Sequence, residues 1–171
     1  IEKAKQDVSA FKPLYEQHYK SIFLFVLHRV GDKEHAADLT AQVFLKALQK
    51  IKKYEYRGLP FSSWLYRIAV NEINDFFRKQ KHTRFVSVED AHVLKLYEEI
   101  TEDSSLEHLQ SYLQGILQKL RPEELCLIEL RFFDERSFKD IGEILNISEV
   151  HAKVKTYRTL DKLKKYFTGK K

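Results

Sequence analysis

Apolar residues recur every three or four positions through nearly the whole chain, and only five glycines and three prolines interrupt the pattern in 171 residues. This is the period at which a helix buries one face, and the alternation of a half-buried strand is missing. An all-α protein is therefore expected. With 43% of its residues hydrophobic, a chain of this length buries one moderate core or two small ones.

The breakers show where helices stop. Phe11, Leu14, Tyr15, Tyr19, Ile22, Phe23, Phe25, Val26 and Val30 form one broad stripe, with Pro13 in its first turn and Gly31 at its end. Asp32 is placed to cap a second helix whose apolar positions are Ala36, Leu39, Val43, Phe44, Ala47, Leu48 and Ile51. After a loop, Ser62 or Ser63 is expected to cap a third helix that turns Leu65, Ile68, Ala69, Ile73, Phe76 and Phe77 inward. These helices predict a first domain over residues 1–84.

Over residues 85–104 the period weakens while Glu89, Asp90, Glu98, Glu99, Glu102 and Asp103 accumulate. That composition predicts a solvated acidic linker, with a short docked helix around residues 93–97 as the alternative. Residues 105–171 then predict a second small helical domain. An amphipathic stretch over 106–120 is followed by a helix that Pro122 opens, and Ser137 and Ser148 each stand before a further apolar-periodic run. Only Asn146 and Ile147 separate those last two runs. Two capped helices joined by so short a turn are a helix-turn-helix.

Charge and chemistry-bearing residues narrow the function. Thirty Lys and Arg against 25 Asp and Glu give a net charge of +5, with the basic residues concentrated over 78–84 and 153–171. Such clusters suit a polyanionic partner. The single cysteine, Cys126, lies in the apolar run Leu125-Cys126-Leu127-Ile128 and is read as a small core residue. The histidines show no paired metal-ligand spacing, and there is no Gly-rich phosphate loop or recognisable nucleophilic triad. Neither a cofactor, a metal nor a catalytic centre is expected. No apolar run approaches the length of a membrane span or opens the chain as a signal segment, so a cytoplasmic protein without membrane insertion is expected.

Two constellations remain. Between the second and third helices, Tyr54, Tyr56, Phe61 and Trp64 crowd a loop held by Gly58 and Pro60, with Arg67 and Asn71 one and two turns on. Rings that stack bases beside donors and cations are the equipment for holding unstacked nucleotides. The same rings also suit a loop tucked onto the core. In the last helix, Ala152, Thr156, Thr159 and Leu163 share one side; Val150, Val154, Tyr157 and Asp161 share the other, flanked by Lys153 and Arg158. If the first stripe is inner, the second faces a major groove. Periodicity equally allows Val150, Val154, Tyr157 and Leu160 to be the buried face.

These residues resemble the extracytoplasmic-function sigma factors of bacterial RNA polymerase over nearly the whole length. The resemblance rests on residues 14–19 (LYEQHY), 37–48 (ADLTAQVFLKAL) and above all 61–71 (FSSWLYRIAVN), then on 137–145, Ile147-Ser148-Glu149, Lys153, Arg158 and Lys162-Leu163. It implies a promoter-specificity subunit, not an enzyme, that binds core polymerase, melts and reads the minus-ten element and reads the minus-thirty-five element. By position, Asp38, Gln42 and Phe44 would bind the clamp helices of the largest subunit. Tyr54, Tyr56, Arg57, Phe61, Trp64, Arg67, Asn71, Arg78 and Lys79 would serve single-stranded and duplex DNA at the minus-ten element. Ser137, Ser148, Lys153, Val154, Lys155, Tyr157 and Arg158 would serve the minus-thirty-five duplex, and an anti-sigma factor is an implied further partner.

The chain departs from the family pattern at three places. Ala41-Gln42 stands where Gln and an acidic residue are usual, Val150-His151-Ala152 where Gly-Thr-Val is usual, and Leu160-Asp161 where basic residues are common. A freestanding helix-turn-helix regulator that dimerises on duplex DNA, or a sigma-like module that binds only protein, is the alternative reading of this pattern.

Overall fold

The computed structural model describes residues 1–56, 58, 60–80, 96 and 109–167. Arg57, the basic residues 81–84, the acidic stretch apart from Leu96, and residues 168–171 lie outside the described residues. Two compact units divide the chain, Ile1–Phe85 and Val86–Lys171. Among the described residues the secondary structure is helical, with no strand.

The first unit contains α1 (Glu2–Gln6), α2 (Lys12–Val30), α3 (Lys33–Lys50) and α4 (Phe61–Gln80). Local chemistry explains the boundaries. Pro13 lies in the first turn of α2, and Gly31 ends it at φ 77°, its N–H donating to the Leu27 carbonyl at 2.8 Å. The Asp32 carboxylate accepts from the His35 N–H at 2.8 Å and so starts α3. α4 begins earlier than the serine signal suggests. It starts at Phe61, directly after Pro60, which leaves Ser62 and Ser63 inside the first turn rather than capping it. The Ser63 N–H already donates to the Pro60 carbonyl at 3.0 Å.

Helices α2, α3 and α4 pack against one another through Ile22, Phe25 and Val26, through Ala36, Val43 and Ala47, and through Leu65, Ala69 and Ile73. Thr40 enters this core because its hydroxyl donates to the Ala36 carbonyl at 2.7 Å. Lys46 reaches across from α3 to the buried Glu72 of α4 in a short charge-assisted contact. The pair ties α3 to α4 beside the apolar stripe of Leu65, Ala69 and Ile73.

The second unit contains α5 (Leu109–Leu117), α6 (Pro122–Ile128), a π turn (Glu129–Phe133), α7 (Phe138–Leu145) and α8 (Glu149–Phe167). Its core gathers Leu113, Ile116, Leu117, Leu120, Leu125, Ile128, Leu160 and Leu163. Leu96 joins them, helical and fully buried. The stretch expected to be a solvated linker thus contributes an anchor to this core. Cys126 is buried in α6.

An ion cluster ties the start of α6 to α8. Glu124 accepts from the Arg121 backbone N–H at 2.9 Å, from the Arg121 guanidinium at 2.9 Å and from Lys162 at 2.7 Å. Burial by itself would raise the Glu124 pKa, but these donors outweigh it and hold the group at about 2 against its usual 4.5. A folded-state value below the unfolded one stabilises the unit above pH 4.5 and loses that stabilisation as pH falls toward 2. With solvent screening at exposed Arg121 allowed for, the contribution is about 2 kcal/mol at neutral pH. The thermal midpoints of wild type and Glu124→Gln should therefore differ at pH 7 and converge as the pH falls from 4.5 toward 2. Parallel curves across that range would rule out the linkage.

Candidate nucleic-acid interface

After α3 a single 3-10 turn, Ile51–Lys53, leads into extended backbone at Tyr54, and Gly58 takes the left-handed conformation at φ 78°. Nothing lies within 4 Å of where a Gly58 side chain would begin, so its backbone angle alone favours glycine there. The loop returns to place three rings together. Tyr54 and Phe61 meet edge to face with centroids 5.3 Å apart, and Trp64 lies 5.0 Å from the first and 5.4 Å from the second.

Burial sorts these rings into two roles. Tyr54 and Phe61, both expected at the DNA, are each only 7% exposed. Edge-to-face packing and the approach of His18, 5.8 Å from the Phe61 ring, remove both from solvent. They form a floor. Trp64, packed against both, is half-buried, and Tyr56 is 74% exposed.

From Trp64, the helical spacing of α4 carries half-buried Arg67, exposed Asn71 and exposed Arg78 along one face, with Lys79 one position round. A ring, two groups with hydrogen-bond donors and two cations therefore share an outward strip. Asp75 lies on the same strip and pairs with Arg78 at 2.8 Å. That carboxylate reduces the positive field at this end.

On α3, Asp38 and Gln42 are exposed. Phe44 is not available with them: it is 4% exposed, its ring 4.8 Å from Tyr15, 6.3 Å from Tyr19 and 6.5 Å from Phe11. Two residues beyond Gln42 on a helix is nearly the opposite side, which turns Phe44, expected with them at the polymerase, into the core. Leu45, three positions beyond Gln42, is 55% exposed. At i+7 from Asp38 and outside the inward stripe, this leucine shares the face of Asp38 and Gln42.

The helix-turn-helix is built by caps. Ser137 accepts from the Asp140 N–H at 3.1 Å and donates to the Asp140 carboxylate at 2.6 Å. α7 ends at Asn146 in the left-handed region, φ 56°, and the Ile147 N–H donates to the Gly142 carbonyl at 2.8 Å. The Ser148 hydroxyl then accepts from the His151 N–H at 3.2 Å and starts α8.

α8 buries Ala152, Thr156, Thr159, Leu160 and Leu163. Two threonines are admitted because Thr156 donates to the Ala152 carbonyl and Thr159 to the Lys155 carbonyl, each at 2.9 Å. Val150 is 72%, Val154 40% and Tyr157 49% exposed, with Lys153, Lys155 and Arg158 exposed around them. The opposite assignment, with Val150, Val154 and Tyr157 buried, is thereby excluded; of that set only Leu160 turns inward. An apolar stripe between cations faces solvent. Asp161 is exposed as well.

Among the described residues no group of three His, Cys, Asp or Glu side chains is arranged to hold a metal ion. No described helix is long and apolar enough to cross a membrane.

Residues 14–83 match Sigma-70 region 2, and residues 116–165 match Sigma-70 region 4. The chain is 30% identical over 170 residues to the ECF RNA polymerase sigma factor SigW of Bacillus subtilis, spanning 94% of this chain and 90% of SigW. It is also 30% identical over 162 residues to the ECF RNA polymerase sigma factor BldN of Streptomyces coelicolor, spanning 94% of this chain and 61% of BldN. Two solved structures share the fold. The sigma factor RpoE of Bartonella quintana, crystallised with the anti-sigma factor NepR, superposes at a TM-score of 0.61 and 18% identity over 93% of this chain and 97% of that one. CnrH, in complex with the cytosolic domain of CnrY, gives 0.60 at 18% identity over 99% and 95%.

Proposed function

This chain belongs to the extracytoplasmic-function (ECF) sigma factors of RNA polymerase, and on that premise we propose how its two units divide promoter recognition. The first unit binds the clamp helices of the largest polymerase subunit through Asp38, Gln42 and exposed Leu45, and holds the melted minus-ten strand at Trp64, Tyr56, Arg67 and Asn71. Arg78 and Lys79 meet phosphates farther along α4. The second unit reads the minus-thirty-five duplex through Val154 and Tyr157, with Ser137, Ser148, Lys153, Lys155 and Arg158 placed for phosphates and base edges.

The observation that carries this reading is the half-buried Trp64 packed against Tyr54 and Phe61, sharing one helix face with Arg67 and Asn71. A ring packed against its neighbours and partly exposed is preorganised to stack a base. The chain works where core polymerase works, in the cytoplasm, and contributes no catalytic step of its own. A sigma factor of similar fold crystallises with an anti-sigma factor, and an anti-sigma factor covering the Asp38–Leu45 face would keep this chain from polymerase. Matches to both Sigma-70 regions favour this account over a freestanding regulator, which has no use for the first unit.

Reconstitution with core polymerase tests it. The chain should co-elute with the core and direct initiation at mapped start sites. In that holoenzyme, Lys153→Ala with Arg158→Ala should weaken binding to the promoter upstream region and flatten its log–log salt slope by about 2, near 0.9 for each phosphate no longer neutralised. An unchanged slope means that these cations do not approach DNA, and failure to co-elute ends the polymerase assignment.

A further inference from the structure

Tyr157 sits midway along the exposed stripe of α8, and its ring is not left to rotate freely. The Phe138 ring, on the first residue of α7, lies 6.0 Å from it at a 44° tilt. On Phe138, in turn, the Arg131 guanidinium is seated 4.8 Å from the ring centroid. Arg131 is itself anchored, donating to the Arg136 carbonyl at 3.0 Å from within the π turn Glu129–Phe133. Guanidinium, phenyl and phenol thus form a column that runs from the π turn, across the start of α7, to the exposed face of α8.

We infer that Phe138 is a positioning residue for sequence readout, holding the Tyr157 ring in the orientation that the exposed face of α8 presents to base edges. The inference rests on the reading of α8 as the minus-thirty-five reader. A tyrosine on a helix chooses between two main χ1 rotamers. Exposed on one side, it would lose that freedom only on meeting DNA, and the entropy of ordering would be subtracted from recognition. Aromatic contact with Phe138 orders the ring beforehand, and Arg131 keeps Phe138 from retreating. The Ser137 cap one residue earlier fixes the start of α7, from which the Phe138 ring projects. The column ends on Tyr157, so its effect should be confined to the bases that this ring meets. Phosphate contacts made by Lys153 and Arg158 stand outside it.

The test uses the full chain bound to core polymerase, selecting from duplexes randomised upstream of a mapped start site. Wild type, Phe138→Leu, Phe138→Tyr and Tyr157→Ala are compared by the sequences they enrich. Phe138→Leu keeps apolar bulk but removes the ring, and should lose about 3- to 10-fold of base preference at the positions where Tyr157→Ala loses it. Its salt slope should stay at the wild-type value. Phe138→Tyr, which restores the ring, should enrich the wild-type sequences.

A wild-type motif from Phe138→Leu, alongside a changed motif from Tyr157→Ala, overturns the positioning role and leaves α8 as the reader. An unchanged motif from Tyr157→Ala removes Tyr157 from readout and this inference with it. Preference lost evenly at every position by Phe138→Leu marks a general structural defect and also overturns it. If the leucine variant melts early, Phe138→Met makes the same comparison with a more adaptable side chain.

Discussion

Holoenzyme carrying Trp64→Ala should form open complexes about 10- to 100-fold less well than wild type, while its association with core polymerase is unchanged. The size follows from stacking, since a base held on an aromatic side chain contributes about 1–3 kcal/mol by alanine substitution. Trp64 is the half-buried member of a three-ring cluster whose other two members, Tyr54 and Phe61, are buried. Truncation removes the stacking surface and leaves the floor in place. Trp64→Phe, which keeps a ring there, should recover much of the loss.

Permanganate reactivity of unpaired thymines in the minus-ten region reads this directly. Reactivity in Trp64→Ala equal to wild type would sink the strand-capture assignment, whatever polymerase binding showed. The residues proposed for core polymerase, Asp38, Gln42 and Leu45, lie on α3, whereas Trp64 lies on α4. A joint loss of melting and polymerase binding would therefore indicate a misfolded first unit, which circular dichroism would detect.

Where the chain carries punctuation, the sequence is a sufficient guide to the fold. Gly31, Asp32, Pro122, Ser137 and Ser148 each mark a helix end through a local rule, and each acts within its own turn. Ser62 and Ser63 mislead because Pro60 immediately precedes Phe61, and a helix that starts after proline leaves the serines inside its first turn. Phe44 carries two competing signals. Its place in the apolar stripe of α3 points inward and its neighbourhood in the family motif points outward, and the stripe prevails because Phe11, Tyr15 and Tyr19 close over the ring. Residue type does not separate Tyr54 and Phe61 from Tyr56 and Trp64. Which ring becomes floor depends on the fold of the Gly58 loop, a three-dimensional fact without a periodic signature. Periodicity leaves the face of α8 undecided for a related reason. A stripe with two threonines looks too polar to bury until each hydroxyl is seen to bond a carbonyl four residues back.

Gly142→Ala should destabilise the second unit by about 1–2 kcal/mol, against the direction that helix propensity gives. Alanine inside a helix is favoured over glycine by about 1 kcal/mol, and Gly142 lies in the interior of α7. A methyl group there, however, would stand 2.8 Å from the Ile147 carbonyl oxygen, 3.2 Å from the Glu149 nitrogen and 3.3 Å from the Ser148 carbonyl carbon. All three are backbone atoms of the turn that leads into α8, and no side-chain rotation relieves them. Overpacking of this kind costs about 1–3 kcal/mol, and it also strains the bond from the Ile147 N–H to the Gly142 carbonyl. The turn must open, which carries the start of α8 away from α7 and shifts Val154 and Tyr157 relative to Phe138 and the Ser137 cap. Minus-thirty-five binding should accordingly fall further than stability does, while polymerase binding by the first unit persists. For a unit of this size the thermal midpoint should drop by roughly 4–15 °C. A Gly142→Ala protein that melts above wild type would mean that the turn is loose enough to accept the methyl group, and the close packing of α7 against the start of α8 would then no longer account for how the reading face is held.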